Sequence, residues 1–459
     1  MPKCTGTNAS QMQFGRIGRK FIEANFEGGE IGSDGGLMLL RQTDQIIGLT
    51  VAAANAMSDR RDGNRIEHSM RTLLSQRILA ICAGYEDLND HQALRKDGLM
   101  QTALGCEAVL GSASTLCRLE NAATATDCAA LSGVLVEQFI NAYRTPPSSI
   151  VLDVDASDIP LHGDQEGSQF HGYYDHYCYL PLYVFCGDHL LASYLRRSRI
   201  DGAKNVTALI KVLVKRIRQS WPEVRIILRG DSGFCRQRLL GFCESHGIYY
   251  VIGLARNARL ERAVVAHEAR LQQAFDLTRL KQRECIEMHY AAGSWERERR
   301  VVARLEYGAQ GNNPRYVVSN LGTDEFDADA LYDQLYCPRG EAENRIKEAQ
   351  LDLFGTRASC HRFLANQFRL LLSALAYTLM QALKRLSLTG TELARATTQS
   401  LRARLLKIGA AVLINTRRIQ LLLASHHPLR EIFALAAARL TELQLQRSSR
   451  CTAPAQALP

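Results

Sequence analysis

The 459-residue sequence contains no C-x-x-C pair among its thirteen cysteines. The number is odd and the spacings are irregular, so a zinc ribbon or redox dithiol lacks its ligands, and a reduced chain with buried thiols is expected. The opening MPKCTGTNASQMQFGRIGRK has no apolar leader region, so secretion is not expected. The most apolar run, LLLSALAYTLMQAL (370–383), is shorter than the roughly 20 residues a bilayer span needs. It reads as a buried helix, with no membrane partner. Walker-type glycine loops, HExxH and GxSxG are all missing, which leaves ATPase, zincin and serine-hydrolase chemistry without their central groups. Acid is scarce at one end: residues 361–459 hold 14 Lys/Arg against three Glu and no Asp, whereas the preceding 360 residues carry 42 Lys/Arg and 44 Asp/Glu. A basic tail of this kind suits an anionic polymer, or a solvated helical face.

What is present falls into blocks of different texture. Residues 1–30 read as loosely structured. SDGGLMLLRQTDQIIGL (33–49) has Ser33 or Asp34 as a capping residue before apolar positions at helical spacing, and HSMRTLLSQRILAICAG (68–84) is a second helix ended by Gly84. STLCRLENA, with Ser114 as cap, opens a third. TPPSS (145–149) closes this block, giving an all-helical domain over 1–147. An α/β series follows: strands at 149–157, 179–186 and 189–196, a helix at 203–219, a strand at 224–230, a helix at 235–246 and a strand at 248–254. Between 255 and 330 the alternation of CIEMHYAA, RRVVARLEY and RYVVSN predicts an inserted antiparallel sheet. Everything later reads as helix, including 361–386 and a basic C-terminal region (387–459) that ends in the polar QRSSRCTAPAQALP.

Three acidic positions stand apart. Asp153 and Asp155 interrupt the apolar strand IVLDVDAS at i, i+2, so both point to one sheet face. Asp231, in IILRGDSGF, lies just past the carboxyl end of a buried strand, where open α/β sheets place ligands. The third is in LYCPRGEAENRIKEAQLD (335–352), where Pro338 and Gly340 predict a helix beginning near 338. At about 100° per residue, Arg339, Glu343, Lys347 and Gln350 share an arc of roughly 80°, with Glu341 and Glu348 elsewhere, facing solvent. Singly, these acids fit a hydrogen-bonded core Asp, a turn Asp and a surface ion-pair ladder. Together they form a three-carboxylate set of the kind that holds Mg²⁺ for phosphodiester chemistry. His162, His171 and His176 fit no helix face and read as hydrogen-bonded loop residues.

These motifs carry a resemblance. Asp155-Ala156-Ser157 on the first strand, Asp231 in the strand-G-D-S-G-F pattern, and Tyr336, Arg339 and Glu343 in a Tyr-x2-Arg-x3-Glu-x6-Lys signature are similar to the DDE transposases of bacterial insertion sequences. GYEDLNDHQALR (84–95) and the segment around PLHGDQEG (160–167) strengthen the likeness, which covers most of 30–385. The resemblance implies an α/β fold: an RNase H-like core over 148–386 with an inserted β-subdomain at about 255–330. It implies a catalytic and metal-binding triad of Asp155, Asp231 and Glu343 with two Mg²⁺ (Mn²⁺ able to substitute), Asp153 being the alternative first ligand. DNA end cleavage and strand transfer by cut-and-paste would follow, with Tyr336, Arg339 and Lys347 on phosphates. The implied partners are double-stranded DNA, both terminal inverted repeats and target, and a second copy of the chain on that DNA, in a bacterial, nucleoid-associated cytoplasmic setting. The helical domain would read the repeats, with Arg60, Arg61 and Arg65 opening one candidate helix, and the basic tail would bind DNA or mediate dimerisation. Trp295 would stack on an extruded base or fill a core. The sequence departs from the signature at Gln350, where Lys is expected, with Lys347 one turn earlier. A nuclease without strand transfer and a silent DNA-binding derivative remain the rival readings; the basic tail argues against a glycosidase.

Overall fold

The structure is a computed structural model that describes residues 12–452, with side chains for 12–447. The expectation of loose structure at 1–30 is thus answered only from Met12 onward, and residues 453–459 of the polar stretch 446–459 lie outside the described residues. The chain forms two compact units, neither of them contiguous in sequence. One comprises the segment up to Ile46, Glu67–Leu116 and the chain from Leu383 onward; the other comprises Ile47–Ile66 and Cys117–Ala382.

The second unit is built on one large sheet. Its main strands are β1 (Ser149–Ala156), β2 (Leu182–Cys186), β3 (His189–Tyr194), β4 (Arg225–Gly230), β5 (Tyr249–Leu254), β6 (Gln282–Tyr290), β7 (Arg299–Gly308) and β8 (Arg315–Ser319). Their spatial order is β3-β2-β1-β4-β5-β8-β7-β6. β1, β4 and β5 run parallel, and every other neighbouring pair is antiparallel. The strands expected as an inserted sheet therefore extend the main one. β8 pairs directly with β5, Leu254 opposite Tyr316, which covers an edge that would otherwise present unpaired N–H and C=O groups. The helix Ala258–Thr278 inside this segment was not expected; it buries only Leu260, Val264 and Leu271, too thin a stripe to dominate the local pattern.

The period-2 alternation of β1 assigns its side chains to two layers. Ile150, Leu152 and Val154 enter the larger core with α1 (Ala125–Asn141), α2 (Val206–Ser220) and α3 (Gln237–Ser245). Val151, beside Ile227, Val251, Val302 and Val317, faces Leu331, Tyr332 and Leu335 of a helical run over 328–352. That run begins ten residues before the expected start. Asp327 caps it by accepting from the Ala330 N–H at 2.7 Å. Wide π turns over Leu331–Tyr336 then give way to a 3-10 turn at Cys337–Arg339 and an α-helix at Gly340–Lys347. Pro338 falls in the tight turn, where its missing N–H costs no regular helical bond.

The other unit corrects the expectation of purely helical ends. Met12–Ile17 and Lys20–Ala24 form an exposed hairpin, and Ile31–Gly32, Ala410–Asn415 and Arg418–Leu423 form a three-stranded sheet. The leucine-rich 410–423 mimics a helical run in composition, but Asn415-Thr416-Arg417 turns the chain back on itself. Helix Met70–Ala83 is as expected, capped by Ser69 and closed by left-handed Gly84. Neither Ser33 nor Asp34 caps the first helix through its side chain. The Asp34 carboxylate pairs instead with Lys407 Nζ at 2.7 Å and accepts from the Tyr85 hydroxyl at 2.7 Å. Gly36 sits so close to Leu406 that a Cβ there would fall 2.4 Å from its Cα. The helix containing STLCRLEN is capped by Ser112, whose hydroxyl accepts from Thr115 N–H, rather than by Ser114. Among the described residues no helix is long and apolar enough to cross a membrane.

Candidate active site

The site is assembled on the face of the sheet covered by the 328–352 run. Parallel pairing sets Asp153 of β1 opposite Arg229 of β4. The two form a two-point pair, with Nε to Oδ1 and Nη2 to Oδ2, and Arg229 Nη1 also donates to the Leu335 carbonyl at 2.6 Å. Both side chains are buried. A buried charge needs such a partner, so the acid and the base account for each other. Arg229 was not singled out from the sequence. The signal was there, since a cation inside an apolar strand demands an anion on a neighbouring one.

Asp155 lies two residues along on the same face and is in a different situation. Its Oδ2 is 3.3 Å from Arg339 Nη1, and Oδ1 accepts from the Ala156 N–H at 2.8 Å. Burial and the nearby Asp231 carboxylate push its carboxyl up to about 7, with Glu343 adding to the repulsion and Arg339 opposing it. Asp231 terminates β4 and caps the turn Ser232–Phe234, its Oδ1 accepting from Gly233 N–H at 2.9 Å. Glu343 is on the α-helix of the run, and its Oε1 is 2.6 Å from Arg339 Nη2. Arg339 thus links the first and third acids, and burial alone would lower its pKa, but Asp155, Tyr336 and Glu343 outweigh that and raise it.

Tyr336 closes the site from the side of β5. A Cβ on Gly253 of β5 would lie 2.7 Å from the Tyr336 hydroxyl and 2.8 Å from the Ser232 nitrogen. Only a glycine admits the two so near the Asp231 turn, which is the reason for a glycine inside this strand. Sequence reading passed over it. Burial raises the Tyr336 pKa, with Asp231 adding to the effect.

Gln350, the departure from the signature, is buried. Its Oε1 accepts from the Ser157 hydroxyl at 3.2 Å, while Nε2 donates to the Asp158 carbonyl at 3.2 Å and to the Tyr183 hydroxyl at 3.3 Å. It ties the end of the helical run to the end of β1. Lys347 is exposed. Glu341 is also exposed and pairs with Arg345, which reaches on to Asp188 at 2.8 Å; Glu348 is half-buried and accepts from Gln381.

Other residues singled out from the sequence lie apart from this cluster. Arg60, Arg61 and Arg65 do not open a helix. They belong to the loop before Ser69, where Asp59, Asp62 and Gly63 favour turns, and they pair with Asp127, Asp59 and Asp62 respectively. Trp295 sits in the β6–β7 connection, edge-on to Tyr290 and under the Arg299 guanidinium, partly buried against the larger core. His176 pairs with Asp158 at 2.7 Å, His171 accepts from the Tyr173 N–H, and His162 lines a cavity with His361.

The donor set is all carboxylate oxygen, which suits a hard divalent cation. Mutual repulsion at Asp155 is the condition such a cation relieves. Among the described residues no three His, Cys, Asp or Glu side chains converge closely enough to enclose an ion as they stand. Arg339 balances two of the acids instead.

The sequence matches the family described as transposase DDE domain, group 1, over residues 14–445. Among solved structures, it is similar to the piggyBac transposase in a synaptic complex with hairpin DNA, determined by cryo-EM. The two are 11% identical, with 93% of this chain and 83% of that chain covered and a TM-score of 0.40. No curated protein matches.

Proposed function

The chain belongs to the group 1 DDE-domain transposases, and we propose that it cleaves DNA at transposon ends and joins them to a target with the carboxylates Asp155, Asp231 and Glu343. The observation that carries this reading is the Arg339 bridge between Asp155 and Glu343, beside a third acid whose charge Asp155 feels. Asp153 is already neutralised by Arg229, which favours Asp155 as the first metal ligand. Order along the sheet supports an RNase H-like core, with a three-strand antiparallel meander beside two parallel strands and the acids at the ends of β1 and β4.

In this reading Asp155, Asp231 and Glu343 hold two Mg²⁺, or Mn²⁺ in their place. When bound, the ions activate the attacking oxygen and stabilise the leaving one. Arg339 has its guanidinium beside both acids, placed to turn toward a phosphate once a cation takes over their charge. Tyr336 offers a hydroxyl at the Asp231 turn. Lys347 is the exposed cation of the helix and takes the phosphate role that buried Gln350 does not serve. Arg60, Arg61 and Arg65 form a further basic loop for DNA, although each already has an acidic partner. Insertion-sequence origin, action as a homodimer on paired ends, and a bacterial nucleoid-associated setting belong to the same proposal, as do a DNA-reading N-terminal region and a catalytic core within 148–386.

The test uses purified protein, Mg²⁺ and a labelled duplex carrying the element's end. Strand-transfer products are expected, and Asp231→Asn should abolish them while DNA binding persists. Cleavage without joining would indicate a nuclease, and binding without cleavage a silent derivative. Retained cleavage in Asp231→Asn would remove that residue from the site.

A further inference from the structure

The hairpin Ala410–Asn415/Arg418–Leu423 is anchored at one end only. Ala410 and Ala411 pair with Gly32 and Ile31, Val412 N–H donates to the Glu30 carbonyl at 2.8 Å, and Ala410 and Val412 are buried against Leu99. Beyond Val412 the tip of the ribbon makes no ladder pairing with another strand among the described residues. Leu413 through Gln420 are eight consecutive exposed residues, yet the ladder runs on regularly through Leu413–Gln420 and Ile414–Ile419 to Asn415–Arg418. The tip is ordered as well: Asn415 Oδ1 accepts from the backbone N–H groups of Arg417 at 3.1 Å and Arg418 at 3.0 Å.

Charge identifies the occupant. No acid lies between Glu392 and Glu431, while seven Lys/Arg do. Of these, Arg402 donates to the Cys82 carbonyl, Arg404 pairs with Glu392 and Lys407 with Asp34. Neither Arg417 nor Arg418 makes a side-chain ion pair among the described residues. They are exposed at a hydrogen-bonded tip beside Asn415, Thr416 and Gln420, side chains that can hydrogen-bond base edges and phosphates. The free arm spans about four residues per strand, roughly 13 Å. A DNA major groove is about 12 Å wide and 8.5 Å deep and admits a two-stranded ribbon.

We propose that this ribbon is a DNA-reading element that enters the major groove of duplex DNA through Arg417 and Arg418. The inference rests on the transposase reading for its ligand but needs neither the metal nor the carboxylates, so a binding assay without divalent ions tests it alone. With the full-length protein and two fluorescent duplexes, one carrying the element's end and one scrambled, anisotropy would be followed against salt. Arg417→Ala/Arg418→Ala should weaken binding at least about tenfold and flatten the log–log salt slope by about 1–2. Arg417→Lys/Arg418→Lys should keep the slope but lose any preference for the end sequence, because Lys lacks the bidentate fork. Guanine-N7 methylation should interfere with wild-type binding and not with the alanine variant.

Affinity within twofold and an unchanged slope in the alanine variant would overturn the proposal. So would methylation interference of equal strength in both proteins. Unchanged DNA binding, combined with loss of self-association in Ile414→Ser/Ile419→Ser, would make the ribbon a contact between copies of this chain instead. A wild-type protein that binds neither duplex would sink the transposase reading and the ribbon together, whereas failure of the variants alone touches only the ribbon.

Discussion

The hydroxyl of Ser157, two residues beyond Asp155, donates to the amide oxygen of Gln350 at 3.2 Å. The nitrogen of the same amide donates to the Asp158 carbonyl just beyond β1 and to the Tyr183 hydroxyl on neighbouring β2. The residue that breaks the signature is thus a tether between the strand bearing the first acid and the helical run bearing the third.

Removing that tether should leave buried polar groups unpaired. Gln350→Ala is expected to lose about 1–3 kcal/mol of stability, read as a lower urea midpoint at unchanged slope. Gln350→Lys should be destabilised as well, since it buries an ammonium where an amide acceptor served Ser157. A Gln350→Lys variant as stable as wild type and more active would show that the position contacts DNA after all.

Asp153 and Arg229 should behave as a unit. Arg229→Met leaves a carboxylate buried without its counter-charge, and a loss of about 3–5 kcal/mol is expected. The double variant Asp153→Asn/Arg229→Met should be less destabilised than the sum of the single changes, which a double-mutant cycle by denaturation measures. Additive effects would mean that the two side chains do not depend on each other.

Gly253 is expected to affect the chemistry more than the stability of the fold. Gly253→Ala places a methyl 2.7 Å from the Tyr336 hydroxyl and 2.8 Å from the Ser232 nitrogen, so the turn carrying Asp231 must shift. A displacement approaching 1 Å would reduce Mg²⁺-dependent cleavage about 100-fold, with DNA binding little changed and the thermal midpoint lowered by the contact with the Ser232 backbone. Adding Tyr336→Phe should recover part of the loss if the hydroxyl clash dominates. Full activity in Gly253→Ala would show that the strand can yield.

Acid should loosen the unit that contains His91. Its ring is buried, Arg77 donates to Nε2 at 3.1 Å, and burial and then Arg77 push its pKa down to about 3. The folded ring stays neutral while the unfolded one protonates near its ordinary 6.5. The unfolded state therefore binds the extra proton between these values. Stability from this group is complete above about 6.5 and falls by about 1.4 kcal/mol per pH unit on the way down to about 3. His91→Gln should remove that component from a stability–pH profile.

Sequence alone determined a good deal here. The parallel strands at 149–157, 224–230 and 248–254 were legible because buried β-branched runs have few alternatives. The acids were visible because charge inside or just after such a run is costly and so conspicuous. Family membership followed from the same spacings. Tertiary structure decided what depends on neighbours distant in the chain. Asp153 differs from Asp155 because Arg229 lies opposite one and Arg339 beside the other, and no periodicity encodes that. The helical run at 328–352 starts early because Asp327 caps it and π turns lead into Pro338, geometry that spacing rules for regular helices miss. The 410–423 segment is a ribbon because residues 30–32 and Leu99 receive its base, so a partner almost 400 residues away overrode its helical composition. Gln350 read as a missing lysine; in the fold it is a buried amide with three partners, because the helical face it shares with Arg339 and Glu343 turns inward by the time it reaches the end of β1.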